Sequence, residues 1–116
     1  METTFIIVTT VTILMNTGIA IADFARAPFV LANSAEVGVP QSWLPALGAA
    51  KGAGALGLAA GFAWPPVGIA AAVGLVLFYC GAIFAHLRAG VFYNLAFPAA
   101  FLAFAAGTLT LGCVRL

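Results

Sequence analysis

Four long apolar windows, separated by short breaks, constrain this chain more than any other feature. They run from about Thr4 to Phe24, from Leu44 to Phe62, from Val67 to His86 and from Leu95 to Cys113. Each supplies the roughly 20 apolar residues that a helix needs to cross a bilayer. The runs are continuous, whereas the strands of a lipid-facing barrel alternate with a period of two. We therefore predict an all-α integral membrane protein, a four-helix up-and-down bundle forming one transmembrane domain over residues 1–116.

Composition supports the membrane class. Charged residues make up 6% of the 116 residues, hydrophobic residues make up 65%, and the mean hydropathy is +1.20. A soluble domain carries about 25% charged residues, so this chain could not cover its surface with polar groups. The net charge of +1 offers no basic surface to nucleic acid. The lipid bilayer is thus the first expected partner, and nucleic acid is excluded.

The breaks between the windows contain residues that end helices. The stretch "ARAPFVLANSAEVGVPQSW" over residues 25–43 predicts a long loop, and the sequence from Trp64 to Pro66 predicts a tight turn, because proline cannot continue a helix. The stretch "LRAGVFYN" predicts a third turn. The residues before the first window include Glu2 and lack the positive charge of a secretory signal, so we expect this window to be a span and not a cleaved leader.

Most ionisable residues fall at one end of the predicted bundle. We call the face with both termini side A, which receives Glu2 and Arg115, and the opposite face side B. The residues at or near side B are Asp23, Arg26, Glu36, Lys51, His86 and Arg88. The positive-inside rule applied to Arg26, Arg88 and Lys51 places side B in the cytoplasm, for a multi-pass protein of the cytoplasmic membrane.

Lys51 is the ionisable residue that lies deepest in the apolar windows. It is about seven residues into the second window, so about 10 Å from side B at 1.5 Å per residue. A charge at that depth either faces inward and pairs, or snorkels along its stem to the headgroups. We predict that Lys51 faces inward and pairs with Asp23, with Glu36 as the second candidate.

Small residues follow Lys51 at helical spacing. Gly54, Gly57 and Gly61 lie in a stripe on one face of the predicted helix. The third window has a matching set of small residues, namely Gly68, Ala71, Ala72 and Gly74. Because lipid gives no hydrophobic drive between helices, close backbone approach through small residues supplies the contact. The stripe predicts tight packing of the second and third windows, and a homo-oligomer interface is the alternative use of the same motif.

Two further polar positions are candidates for function. Asn16 lies mid-membrane in the first window and must find a partner, so we expect it inward, against the fourth window. His86 and Arg88 are two residues apart, so they diverge by about 200° on a continuous helix. A single His without neighbouring ligands predicts no metal site. The ligand-binding candidates are Lys51, His86, Arg88, Asp23 and Asn16, and the sequence carries no motif that indicates a catalytic residue.

The stretches "GVPQSWLPALGAAKGAGALGL" and "GIAAAVGLVLFYCGAIFAHLRAG" resemble the DoxX-like family of small bacterial membrane proteins, over roughly residues 38–90. The resemblance implies four helices in the bacterial cytoplasmic (inner) membrane. Matched to the family's pattern, Lys51, His86 and Arg88 are polar groups at one mouth of the bundle. Members often carry Asp after HLRAG, where this chain has Val91.

The resemblance also implies function. Some relatives are membrane subunits of a thiosulfate:quinone oxidoreductase, others are accessory partners of membrane complexes, and eukaryotic proteins of similar architecture act as receptor-assembly chaperones. We therefore expect a non-catalytic module that binds a lipid or quinone-like amphiphile or docks on a larger membrane complex. The alternative is a membrane subunit of a quinone-linked oxidoreductase. We expect no resident cofactor other than a bound quinone or lipid. A pore or transporter is disfavoured, because the sequence shows no inverted repeat.

Overall fold

The computed structural model describes residues 2–114 as five α-helices joined by short connections. These are α1 (Glu2–Phe24), α2 (Pro28–Glu36), α3 (Leu44–Gly61), α4 (Pro65–Ala89) and α5 (Ala96–Val114), and a single 3-10 turn over Gln41–Trp43 leads into α3. Within residues 2–114 there is no strand, which confirms the all-α class. Arg115, which we assigned to side A, lies outside the described residues.

The helix count differs from the prediction because the long connection contains α2. Pro28 is the first residue of α2, a position where its missing N–H would be unpaired in any case and its fixed φ favours a helix. The prediction of a long loop treats this proline only as a helix breaker. Left-handed residues flank α2, since φ is +54° at Arg26 and +75° at Gly38. These turns fold α2 back over the side B end of the long helices.

The four long helices pack around one core, with neighbouring helices antiparallel. α1 contacts α3 and α5, and α4 also contacts α3 and α5. The ring of Phe5, near the start of α1, meets that of Phe62, just beyond the end of α3, with centroids 5.9 Å apart. The buried core cluster comprises Leu58, Ala72, Leu75, Tyr79 and Ala105. The side B ends of all four long helices are therefore brought together.

Three of the described helices are long and apolar enough to cross a membrane, namely α1, α4 and α5. The predicted span at residues 44–62 forms α3, but this helix does not meet that criterion by its composition, in which Lys51 and five glycines replace larger apolar residues. Large apolar side chains such as Leu14 and Leu77 point outward from α1 and α4. This outward apolar surface is what a lipid environment favours.

The glycine stripe of α3 packs against α4, as the spacing predicts. A Cβ atom at Gly61 would lie 2.4 Å from the Cα of Gly68, and one at Gly57 would lie 2.6 Å from the Cβ of Ala71. Only glycine allows backbones this close. Gly74, which we had placed in the same seam, faces open space. The motif thus forms a contact within one chain.

Candidate ligand-binding site

The ion pair predicted for Lys51 is present. Its Nζ atom lies 3.0 Å from Asp23 Oδ2, and the two side chains are only 13% and 3% exposed. The ammonium also lies 5.3 Å from the centroid of the Phe78 ring, a cation–π distance. Gly48 lets α1 and α3 approach here, since a Cβ at that position would lie 3.0 Å from the Asp23 Cβ. Lys51 therefore faces inward, and the snorkelling alternative is wrong.

His86 and Arg88 point in different directions, because α4 continues past both to Ala89 and is capped by Gly90 at φ +71°. The His86 side chain is buried, and its Nδ1 lies 2.8 Å from the carbonyl oxygen of Ala82. A carbonyl only accepts, so Nδ1 carries a proton and Nε2 is the free ring nitrogen. Arg88 is exposed, with its guanidinium 5.9 Å from the Phe84 ring.

Asn16 is fully buried, as predicted, but its partner differs from the one expected. Its Nδ2 donates to the carbonyl of Thr12 at 2.9 Å, and its Oδ1 accepts from the hydroxyl of Tyr79 on α4. The residue that reaches α5 is Thr12, whose Oγ1 lies 3.0 Å from Thr108 Oγ1. The predicted contact of Asn16 with the fourth window is therefore wrong. A buried amide takes the nearest strong donor, and Tyr79 is long enough to supply it from α4.

α2 is held over the side B end by two side-chain hydrogen bonds to the turn between α4 and α5. Tyr93 OH donates to Glu36 Oε1 at 2.6 Å, and Asn94 Nδ2 donates to Asn33 Oδ1 at 2.9 Å. The hydrogen bond to Glu36, together with partial desolvation and the carboxylate charge, raises the pKa of Tyr93 above its ordinary value. Glu36 is thus a latch for α2 and not the partner of Lys51.

Two cavities meet at the ion pair. The first has a volume of about 420 Å³ and lies between α2, α4 and α5, and the second, of about 400 Å³, lies between α2, α3 and α4. Asp23, Lys51 and His86 line both. The first cavity has an aromatic wall, formed by Phe29, Phe78, Tyr79, Tyr93, Phe97 and Phe101. Together they form the side B site, an apolar space with a few convergent polar groups, as small-molecule sites have.

The structure separates the sequence-derived candidates. Asp23, Lys51 and His86 come together at both cavities, Arg88 borders only the second, and Asn16 borders neither. Asn16 connects to the first cavity only through Tyr79. The described residues contain no cluster of three His, Cys, Asp or Glu side chains that could hold a metal ion.

Sequence reasoning missed several residues of the side B site. Tyr79 precedes His86 by seven residues, two helical turns, so the two side chains share a face of α4, and this spacing could have identified it. Asn33 and Asn94 carry no comparable signal, because their meeting depends on how α2 folds back. The aromatic wall was also missed, since phenylalanine is expected on every face of a membrane helix.

Comparison with models of known protein families gives a match over most of the chain. A family model described as the DoxX-like family matches residues 7–108, which covers nearly all of the helical structure. Curated proteins and solved structures give no match to the chain.

Proposed function

The chain belongs to the DoxX-like family, and on that premise we propose that it is a non-catalytic membrane module. Its ligand is a lipid or quinone-like amphiphile whose head occupies the side B site. The protein forms a single transmembrane domain over residues 1–116 in the bacterial cytoplasmic membrane, with side B facing the cytoplasm. Lys51, Asp23 and His86 contact the head, and Arg88 lies at the rim of the second cavity.

We also propose that α3 crosses the membrane, to complete a four-helix up-and-down bundle. Its 18 residues correspond to about 27 Å, close to the roughly 30 Å of a hydrocarbon core. α1 and α4 pack on either side of it and cover its glycine-rich face. Lys51 is paired with Asp23 rather than exposed to acyl chains, as charged side chains within membrane-spanning helices usually are.

The observation that carries the binding proposal is the position of the first cavity. It combines a volume of about 420 Å³ with an aromatic wall and the buried Lys51–Asp23 pair. Phe29 and Phe97 line this cavity and are also largely exposed, so they mark a mouth from the membrane surface into the interior. An amphiphile can therefore place its head beside the ion pair while its tail leaves between α2 and α5.

The direct test is to identify what the protein retains on purification. The full chain is extracted in a mild detergent, and the bound lipids and quinones are analysed by mass spectrometry. We expect an amphiphile in near-stoichiometric amount, and its loss in a Lys51→Met variant. Arg26→Gln is the matched control, because Arg26 is an exposed side B cation that lines neither cavity. Retention of the same amphiphile by Lys51→Met would contradict the proposed site.

A second function is favoured by His86, which offers a free ring nitrogen beside the cavity. A quinone or quinol head there could exchange a hydrogen bond with Nε2, as in the membrane subunit of a quinone-linked oxidoreductase. A separate partner would have to supply the redox centre. Quinone reduction by the reconstituted complex should then fall in His86→Ala and not in Arg26→Gln. Unchanged turnover in His86→Ala would contradict the oxidoreductase function and leave only the proposal of a non-catalytic binding module.

Docking on a larger membrane complex, or on a second copy, remains part of the proposal. The Gly57–Gly61 motif is occupied by α4 within one chain, so such an interface uses another surface. Native mass spectrometry of complexes extracted without crosslinking would show whether the protein is a monomer, an oligomer or part of a larger complex. A monomer free of partners in every extraction would remove this part of the proposal and leave ligand binding.

A further inference from the structure

Three aromatic side chains that carry a proton line the first cavity, and each donates that proton within the protein. Tyr79 OH donates to Asn16 Oδ1, and Tyr93 OH donates to Glu36 Oε1. His86 Nδ1 donates to the carbonyl one turn earlier on its own helix. Each of these groups can then only accept a hydrogen bond from a ligand. The accepting atom is the phenol oxygen in the two tyrosines and Nε2 in the neutral ring of His86.

These donor assignments follow from the partners, which can only accept. A carbonyl oxygen and an ionised carboxylate carry no proton to give. The amide of Asn16 is oriented by its own bond, because its Nδ2 donates to the carbonyl of Thr12 at 2.9 Å, which leaves Oδ1 for Tyr79. Turning the Tyr79 hydroxyl toward a ligand would leave the buried Oδ1 of Asn16 without its partner, whereas the Tyr93–Glu36 hydrogen bond is exposed and carries no such penalty.

The ion pair is the charged part of the same wall. Asp23 holds Lys51 with one carboxylate oxygen, Oδ2, and among residues 2–114 no hydrogen bond is made to the other. The Lys51 ammonium is already engaged by this carboxylate and by the ring of Phe78. The pair is neutral as a whole, so it supplies no net positive charge for a phosphate. Beside it, Asn33 Nδ2 and the two further N–H bonds of Lys51 can still donate, whereas His86 Nε2 and Asn94 Oδ1, which is buried without a partner among the described residues, are the open acceptors.

We propose that the side B site selects amphiphiles whose head bears a hydroxyl donor, with His86 Nε2 as the principal acceptor. This rests on the proposed function and narrows its ligand class to phenol-like and quinol-like heads or the free hydroxyl of a glycerol lipid. A head of the same shape that can only accept hydrogen bonds, such as an ether or an oxidised quinone, would place its oxygen lone pairs against the lone pair of His86 Nε2. His86 is assigned the main role because it is buried and lines both cavities.

The test uses matched pairs of probes that differ only in the donor. A para-alkylphenol and its methyl ether are titrated by calorimetry into nanodiscs that contain the full-length protein, with empty nanodiscs as the partition control. We expect the phenol to bind roughly 5- to 150-fold more tightly than the ether, the ratio that corresponds to one buried acceptor left unpaired. A monoacylglycerol and its dimethyl ether form a second pair, which distinguishes a lipid source of the hydroxyl from an aromatic one.

Variants assign the acceptor. His86→Gln keeps a polar side chain in place but presents an amide donor as well as an acceptor, so the phenol-to-ether ratio should fall toward one. Arg26→Gln, on an exposed side chain outside both cavities, should keep the wild-type ratio.

Each remaining outcome has a defined meaning. Equal or tighter binding of both ethers by the wild-type protein would overturn donor selection while leaving the proposed function standing, and this comparison needs no variant to fold. An unchanged ratio in a folded His86→Gln protein would overturn the role of His86. Failure of all four probes to bind beyond empty nanodiscs would overturn the proposed function, and donor selection with it.

Discussion

Replacing Lys51 by methionine tests the buried ion pair on which the side B site is built. Methionine has a similar length and no charge, so the substitution leaves the Asp23 carboxylate buried without its partner. Breaking a buried pair in this way typically costs about 3–5 kcal/mol. Because the two side chains are 13% and 3% exposed, solvent screening is small. The pair adjoins two cavities that water can enter, which favours the lower end, about 3 kcal/mol.

The assay is reversible unfolding in mixed detergent micelles, followed by circular dichroism, for four proteins in a double-mutant cycle. They are the wild type, Lys51→Met, Asp23→Asn and the double variant. Asparagine is chosen because it is isosteric, and Gly48 leaves no room for a larger side chain beside Asp23. We expect the double variant to be more stable than the sum of the single losses predicts, with a coupling energy of at least about 1 kcal/mol.

Two results would refute this reasoning. A Lys51→Met protein as stable as the wild type would mean that the carboxylate is protonated or hydrated and gains nothing from Lys51. Strictly additive losses would mean that the 3.0 Å contact carries no energy. Arg26→Gln, which removes an exposed cation at the same end of the bundle, should change the free energy of unfolding by no more than about 0.5 kcal/mol.

Two further predictions concern the helix seam and the latch of α2. Gly61→Ala would force a Cβ against Gly68 and should destabilise the protein by about 1–3 kcal/mol, whereas Gly74→Ala, which meets open space, should be neutral or slightly stabilising, as thermal unfolding would show. The latch from Tyr93 to Glu36 should persist below the ordinary tyrosine pKa of about 10 and be lost as pH rises through the raised value. In Glu36→Gln the phenolate absorbance should appear at lower pH, and an unchanged titration would argue against the hydrogen bond.

The parts of the fold that were predictable are those set by local pattern or by the cost of burying charge. Apolar windows and proline breaks located the four long helices to within a few residues. The pairing of Lys51 with Asp23 followed because a charge about 10 Å inside a bilayer needs a partner, and few acids were available. The approach of α3 to α4 followed from glycines at helical spacing.

What could not be predicted depends on how elements fold back on one another. A proline at the start of α2 has the same local signal as a proline in a loop, so nine helical residues were missed. Tyr79 was passed over because its partner, Asn16, lies 63 residues away and could equally have faced α5. The cavities have no sequence signature, because they arise where α2 covers the ends of the four long helices.

The buried polar face of α1 has a consequence for biosynthesis. Asn16 and Asp23 leave the ribosome within the first span, yet their partners follow 63 and 28 residues later, on α4 and α3. Until then a newly inserted α1 exposes the amide of Asn16 in mid-span and the carboxylate of Asp23 at its side B end to lipid or to the insertion machinery. We therefore expect α1 to be held less firmly in the bilayer until α3 and α4, which bear Lys51 and Tyr79, have been synthesised.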